Sequence, residues 1–193
     1  YFANIPQGFG GYAYRDMDAR GNGQRVSVSI APGFANRDTD AFDGLDTFGV
    51  GVEARVGWEY VSGPMAFGVT AAQALATGHE GFYLDLQASW RGRIGQRGFY
   101  SIGPTVRLAD GTYMNNLYGV TARESGATGL DAFTADAGLE SAGVQGIVSV
   151  PAGRGWRLTG VLGVSRLFED SEASPLSREP TQLFFLTALT RSF

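Results

Sequence analysis

The sequence predicts an all-β protein, a transmembrane antiparallel up-and-down β-barrel. Three observations carry that expectation. Apolar residues recur every second position over long segments, as on a strand with one apolar face. Aromatic residues gather near the ends of those segments, on the same face, where a barrel meets the membrane interface. The last segment, 181–193, reads TQLFFLTALTRSF. It sets Leu183, Phe185, Leu189 and the terminal Phe193 on one face, a common close for outer-membrane barrels.

The segments follow in chain order. Gly8 to Met17 alternates poorly. In Arg25 to Ala35, Val26, Val28, Ile30, Pro32 and Phe34 oppose a row of Arg, Ser, Ala and Gly. In Thr47 to Val61, Phe48, Val50, Val52, Ala54, Val56, Trp58 and Tyr60 oppose Thr, Gly, Glu and Arg. Met65 to Ala76 points Met65, Phe67, Val69, Ala71 and Leu75 outward, with Gln73 the exception. Phe82 to Arg91 and Tyr100 to Leu108 alternate cleanly. Ser141 to Val150 and Trp156 to Phe168 flank the short turn 152–155. Pro32 and Pro104 each remove a ladder donor, which predicts bulges or strand ends beside them. No helix-length period of 3.6 is found. A soluble sandwich also alternates, but the strand-end aromatics and strands of about 10–13 residues favour a membrane barrel.

Composition agrees. The 193 residues suit one barrel domain over 1–193. Glycine is abundant at 29 residues, and charged residues are scarce at 18%. No run of about 18 apolar residues exists, so no transmembrane helix is predicted. The 44% hydrophobic content is instead dispersed by alternation. A net charge of −4 and a pI near 5.0 argue against nucleic-acid binding through a basic face. The absence of cysteine excludes disulfides and thiolate metal sites.

Outer-membrane barrels have short turns on the periplasmic side and long loops outside. If the last strand runs inward, segments 36–46, 77–81, 120–140 and 169–180 fall outside. Segments 18–24, 62–64, 94–98 and 151–155 then fall inside, and Tyr113 to Gly119 must extend a strand or belong to an outer loop. This arrangement has about nine strands. Single-chain barrels have even strand numbers. At least one outward strand is therefore expected before Tyr1, in a complete barrel of ten or twelve.

Glu53, Arg55, Glu59, Asp85, Arg91 and Arg107 share the expected inner face with alternating sign. They read as a charge network in the lumen, since unpaired charge there is costly, or as the wall of a narrow polar pore. Ten strands leave room for little beyond side chains, which favours the network. Trp58, Tyr60, Trp90, Tyr100, Trp156, Phe168 and Phe193 are the expected interfacial aromatics. His79, the only histidine, sits on a short turn and has no company for a metal site. Asp38, Asp40, Asp43 and Asp46 miss the calcium-loop spacing and read as a solvated loop. No catalytic set and no cofactor site stand out, and the chain is expected not to be an enzyme.

The second half resembles the MltA-interacting protein (MipA/OmpV) family of outer-membrane proteins. Three stretches carry the resemblance: ADGTYMNNLYGVT at 109–121, WRLTGVLGVSRLFEDSEASP at 156–175, and the end from Gln182 to Phe193. A small-residue loop from Gly126 to Leu139 lies between the first two, and together they span roughly 97–193. Arg191 stands where an aromatic is usual and would snorkel to headgroups or face protein. Glu169 stands where a small residue is usual. The resemblance implies the outer membrane of a Gram-negative bacterium, with phospholipid and lipopolysaccharide as surroundings. It implies a scaffold that brings a lytic murein transglycosylase together with a penicillin-binding synthase. Adhesion and passage of small solutes are its alternatives.

Overall fold

Alternation along the chain becomes one meandering sheet. The computed structural model describes residues 2–4, 8–33, 44–46, 51–76, 80–153 and 155–191. Its strands are β1 (Phe2–Asn4), β2 (Gly8–Met17), β3 (Gly23–Gly33), β4 (Gly51–Ser62), β5 (Met65–Ala76), β6 (Phe82–Ile94), β7 (Gly98–Ala109), β8 (Gly138–Gly153), β9 (Trp156–Leu167) and β10 (Thr181–Arg191). Each pairs antiparallel with the next, so spatial order is chain order. The nine long strands are the nine that the sequence predicts, and β1 adds a short tenth. Among the described residues no ladder joins β1 to β10.

The two faces of this sheet are inverted relative to a soluble protein. Val52 is 40% exposed, while Glu53 beside it is 1% exposed. Val28, Ile30, Val56, Phe67, Trp90, Ile102, Leu162, Leu183 and Phe185 are likewise exposed. The enclosed face holds Ser29, Ala31, Glu53, Ala66, Ala72, Tyr83 and Ser149. So large an exposed apolar belt is what lipid covers in a barrel.

Bulges adjust this pattern. In β2 the register shifts between Tyr12 and Tyr14, so Tyr12 faces Ser27 on the inner side while Tyr14 faces Val26 on the outer. That extra residue, Ala13, is why this segment alternates poorly in sequence. Leu75 is the extra residue opposite the Val52–Glu53 step of β4. Glu140 is the extra residue opposite Arg107–Leu108. No bulge forms at Pro104. The β6–β7 register is the same at Gln87↔Thr105 and at Trp90↔Ile102, and on that side Pro104 lies in the unpaired interval between them, where its missing N–H costs least.

The long connections depart from expectation, because they contain helices. These are α1 (Gly111–Tyr118), α2 (Ala122–Thr128) and α3 (Glu169–Ala173). Tyr113 to Gly119 therefore neither extends β7 nor stays irregular. Asp110 caps α1 by accepting the Tyr113 N–H at 2.8 Å. Thr121 and Glu124 form a capping box on α2. Helices this short are unstable alone and hold by packing. Tyr113, Met114 and Leu117 of α1 are buried against Ala72, Tyr83, Ala109 and Ala135, inside the loop end of the sheet. Leu45 is buried, and the Asp46 N–H donates to Glu124 at 3.0 Å, tying the β3–β4 connection to α2. Ser171 of α3 donates to the Glu140 carbonyl at 2.6 Å, and Ser174 to that of Tyr118 at 2.6 Å. Among the described residues the opposite end carries tight turns, such as that at Gly63 (φ 56°).

A methyl group on Gly103 would lie 2.0 Å from the Ala88 carbonyl oxygen, a backbone atom that cannot step aside. Gly103→Ala should lower stability by about 1–3 kcal/mol. A lower urea midpoint in detergent micelles is the expected result, beside an unlowered midpoint for a Gly126→Ala control, whose methyl group enters open space on α2.

Candidate functional site

Strand period places the charged side chains of β4, β6 and β7 on the enclosed face, and the ladder sets them across from one another. Asp85 and Arg107 are direct cross-strand partners. Arg107 grips Asp85 with both prongs, Nε to Oδ1 at 2.6 Å and a terminal nitrogen to Oδ2 at 2.8 Å. Its other terminal nitrogen donates to the Tyr113 hydroxyl at 3.0 Å, so α1 reaches down onto the strand network. The guanidinium also lies 4.1 Å from the Tyr83 ring centre. Glu140, held at its bulge, stands 3.6 Å from Arg107 and accepts the Tyr118 hydroxyl at 2.9 Å. Next to this group, Glu53 accepts from Arg55 at 2.7 Å and from the Tyr83 hydroxyl at 2.9 Å.

A second group lies toward the short-turn end. Glu59 is directly opposite Arg25 in the β3–β4 ladder, and both Arg25 and Arg91 form ion pairs with it. Arg25 also donates to the Tyr12 hydroxyl at 3.2 Å. The six charged residues singled out from the sequence thus fall into two clusters, Glu53–Arg55 with Asp85–Arg107, and Glu59–Arg91. Sequence reasoning left out Arg25, Tyr83, Tyr113, Tyr118 and Glu140. Tyr83 shares the parity of Asp85 and could have been added. Glu140 sits at a bulge just before the segment read as strand, and the two α1 tyrosines reach the site only because their segment is helical.

Trp58, Tyr60, Trp90, Tyr100 and Trp156 all stand on the outer face toward the short-turn end. Trp58 and Tyr60 stack, with ring centres 6.4 Å apart. Arg191 lies over Trp156 at 5.5 Å, so it faces an aromatic ring. Phe168 is at the other end, half-buried at the start of α3. Phe193, His79, Asp38, Asp40 and Asp43 lie outside the described residues. Asp46 pairs with Arg123 on the surface of α2. Glu169 has a positive φ of 51° and accepts the Leu139 N–H at 2.9 Å, fastening α3 to the start of β8.

The family model of MltA-interacting protein MipA matches residues 1–193, the whole chain. The chain belongs to the MipA family. The match takes in the first half, where the likeness is otherwise only one of strand pattern. No curated protein and no solved structure matches the chain. MipA proteins form an outer-membrane family of Gram-negative bacteria, in keeping with the outward apolar belt. Among the described residues no helix is long and apolar enough to cross a membrane.

Two tests follow from this geometry. Arg107→Met strips Asp85 and Tyr113 of a shared donor and should cost about 1–3 kcal/mol. Arg166→Met, which breaks the exposed pair with Glu172, should cost less than about 1 kcal/mol in the same urea titration. Burial pushes the Tyr113 and Tyr118 phenols far above the usual tyrosine range, against the pull of Arg107. The folded state then holds protons that the unfolded chain releases, so stability falls as pH rises above about 10. Tyrosinate absorbance should show these two of the eight tyrosines ionising late, on unfolding, and a Tyr113→Phe/Tyr118→Phe variant should show a smaller late step.

Proposed function

We propose that this MipA-family barrel is a non-enzymatic scaffold of the outer membrane. It holds a lytic murein transglycosylase at the membrane and, with it, a penicillin-binding synthase. The family's name, MltA-interacting protein, supports the first partner. The observation that carries the reading is the Tyr113–Arg107 contact. Helix α1 lies inside the loop end with Met114 fully buried, and the charges beneath it are engaged with one another. At the loop end a wall whose polar groups are already satisfied offers solutes few free partners. Binding to other proteins then falls to the exposed turns and loops.

Affinity capture of the intact protein in mild detergent should co-purify a lytic transglycosylase of the MltA type. Planar-bilayer recordings should show no steady open channel. Steady currents abolished by filling the lumen at Gly57 would overturn the scaffold reading in favour of a small-solute channel.

A further inference from the structure

All 15 basic residues of the chain are arginines. On the inner face they are not evenly matched with acids. The loop-end group sets Glu53, Asp85 and Glu140 against Arg55 and Arg107. Toward the short-turn end the inner face carries Arg15, Arg25, Arg91, Arg93 and Arg157, with Glu59 as the sole inner-face carboxylate among the described residues there.

The ladders fix these positions. The β2 bulge turns Arg15 inward, directly opposite Arg25. Arg93 pairs with Phe99, which pairs with Ser149. Arg157 donates to the Ser149 hydroxyl at 3.1 Å and to the Arg97 carbonyl at 3.1 Å, and so stands beside the β6–β7 turn. Glu59 is shared by Arg25 and Arg91. Like charges set opposite each other in a ladder repel. A cationic excess walled by low-dielectric sheet and lipid draws counter-anions strongly. The loop end is covered by α1, whereas the described residues at the short-turn end form tight turns. Anions therefore have their approach from the short-turn side.

We infer that the short-turn end of the inner face is an oxyanion-binding vestibule, taking a ligand with several carboxylate or phosphate groups. Each guanidinium presents a planar fork matched to two such oxygens, which lysine would not. Membrane lipid reaches the outer face, so the ligand is an anion that enters from the aqueous side. This inference stands apart from the scaffold reading, since it needs no protein partner.

Calorimetric titration of the folded, detergent-solubilised protein with inorganic tripolyphosphate, and separately with citrate, tests it. Saturable binding near one ligand per chain is expected, weakening as sodium chloride rises. Arg15→Gln/Arg93→Gln should weaken it at least tenfold, and Arg157→Gln should do so independently. Arg20→Gln, in the exposed β2–β3 turn, should leave it unchanged. Heat-modifiable gel mobility checks that each variant is folded. Binding of both probes supports a general oxyanion site, and binding of tripolyphosphate alone supports phosphate-bearing ligands. No saturable binding of either, or equal loss with Arg20→Gln, overturns the inference.

Discussion

An apolar face turned outward along a single sheet constrains everything on the other. Once Val28, Val56, Trp90, Ile102 and Leu162 are committed outward, every polar group of the strands must be satisfied within the enclosed face. Backbone ladders meet the main-chain part of that demand. The side-chain part is met by Arg107, which bonds Asp85 and Tyr113, stands near Glu140 and stacks on Tyr83. A guanidinium on an enclosed face is tolerable only with several partners at once. The arrangement of β6, β7, the β8 bulge and α1 can be read as what it takes to surround that one guanidinium.

The cap depends on the same requirement. Helix α1 is too short to be stable by itself, and its apolar side chains could have been buried elsewhere. The Tyr113 hydroxyl ties it to a specific level on the strands, and Tyr118 does the same through Glu140. α3 and the β3–β4 connection then close around it by small polar contacts, from Ser171, Ser174 and the Asp46 N–H. The loop end is thus a folded layer, while the described residues at the other end form tight turns.

The strand pattern was largely legible because a period of two survives wherever lipid enforces one apolar face. It blurred where a residue was inserted. Ala13 reverses parity midway along β2, and no count of alternating residues can reveal the shift without the partner strand. The helices were hidden for a different reason. Helices of five to eight residues make scarcely two turns, too few for a period to show. Their caps were nonetheless written in the sequence, Asp110 before α1 and the Thr121–Glu124 pair before α2. Asp110-Gly111 reads equally well as a turn, and only the buried Tyr113, Met114 and Leu117 decide between the two. Charged residues could be assigned to a face, but not to partners. Asp85 and Arg107 require the ladder register, and Glu140 requires the bulge.

The spacing of the Arg107 partners bears on how such a chain enters a bilayer. Tyr83 and Asp85 lie on the preceding strand, and Tyr113 is one helical turn beyond the end of Arg107's own strand. A single hairpin and its following turn therefore assemble most of the cation's surroundings before more distant strands arrive. Contacts so close in sequence form quickly. The chain can neutralise its most demanding charge early, and need not carry a bare guanidinium into hydrocarbon while the remaining strands find their places.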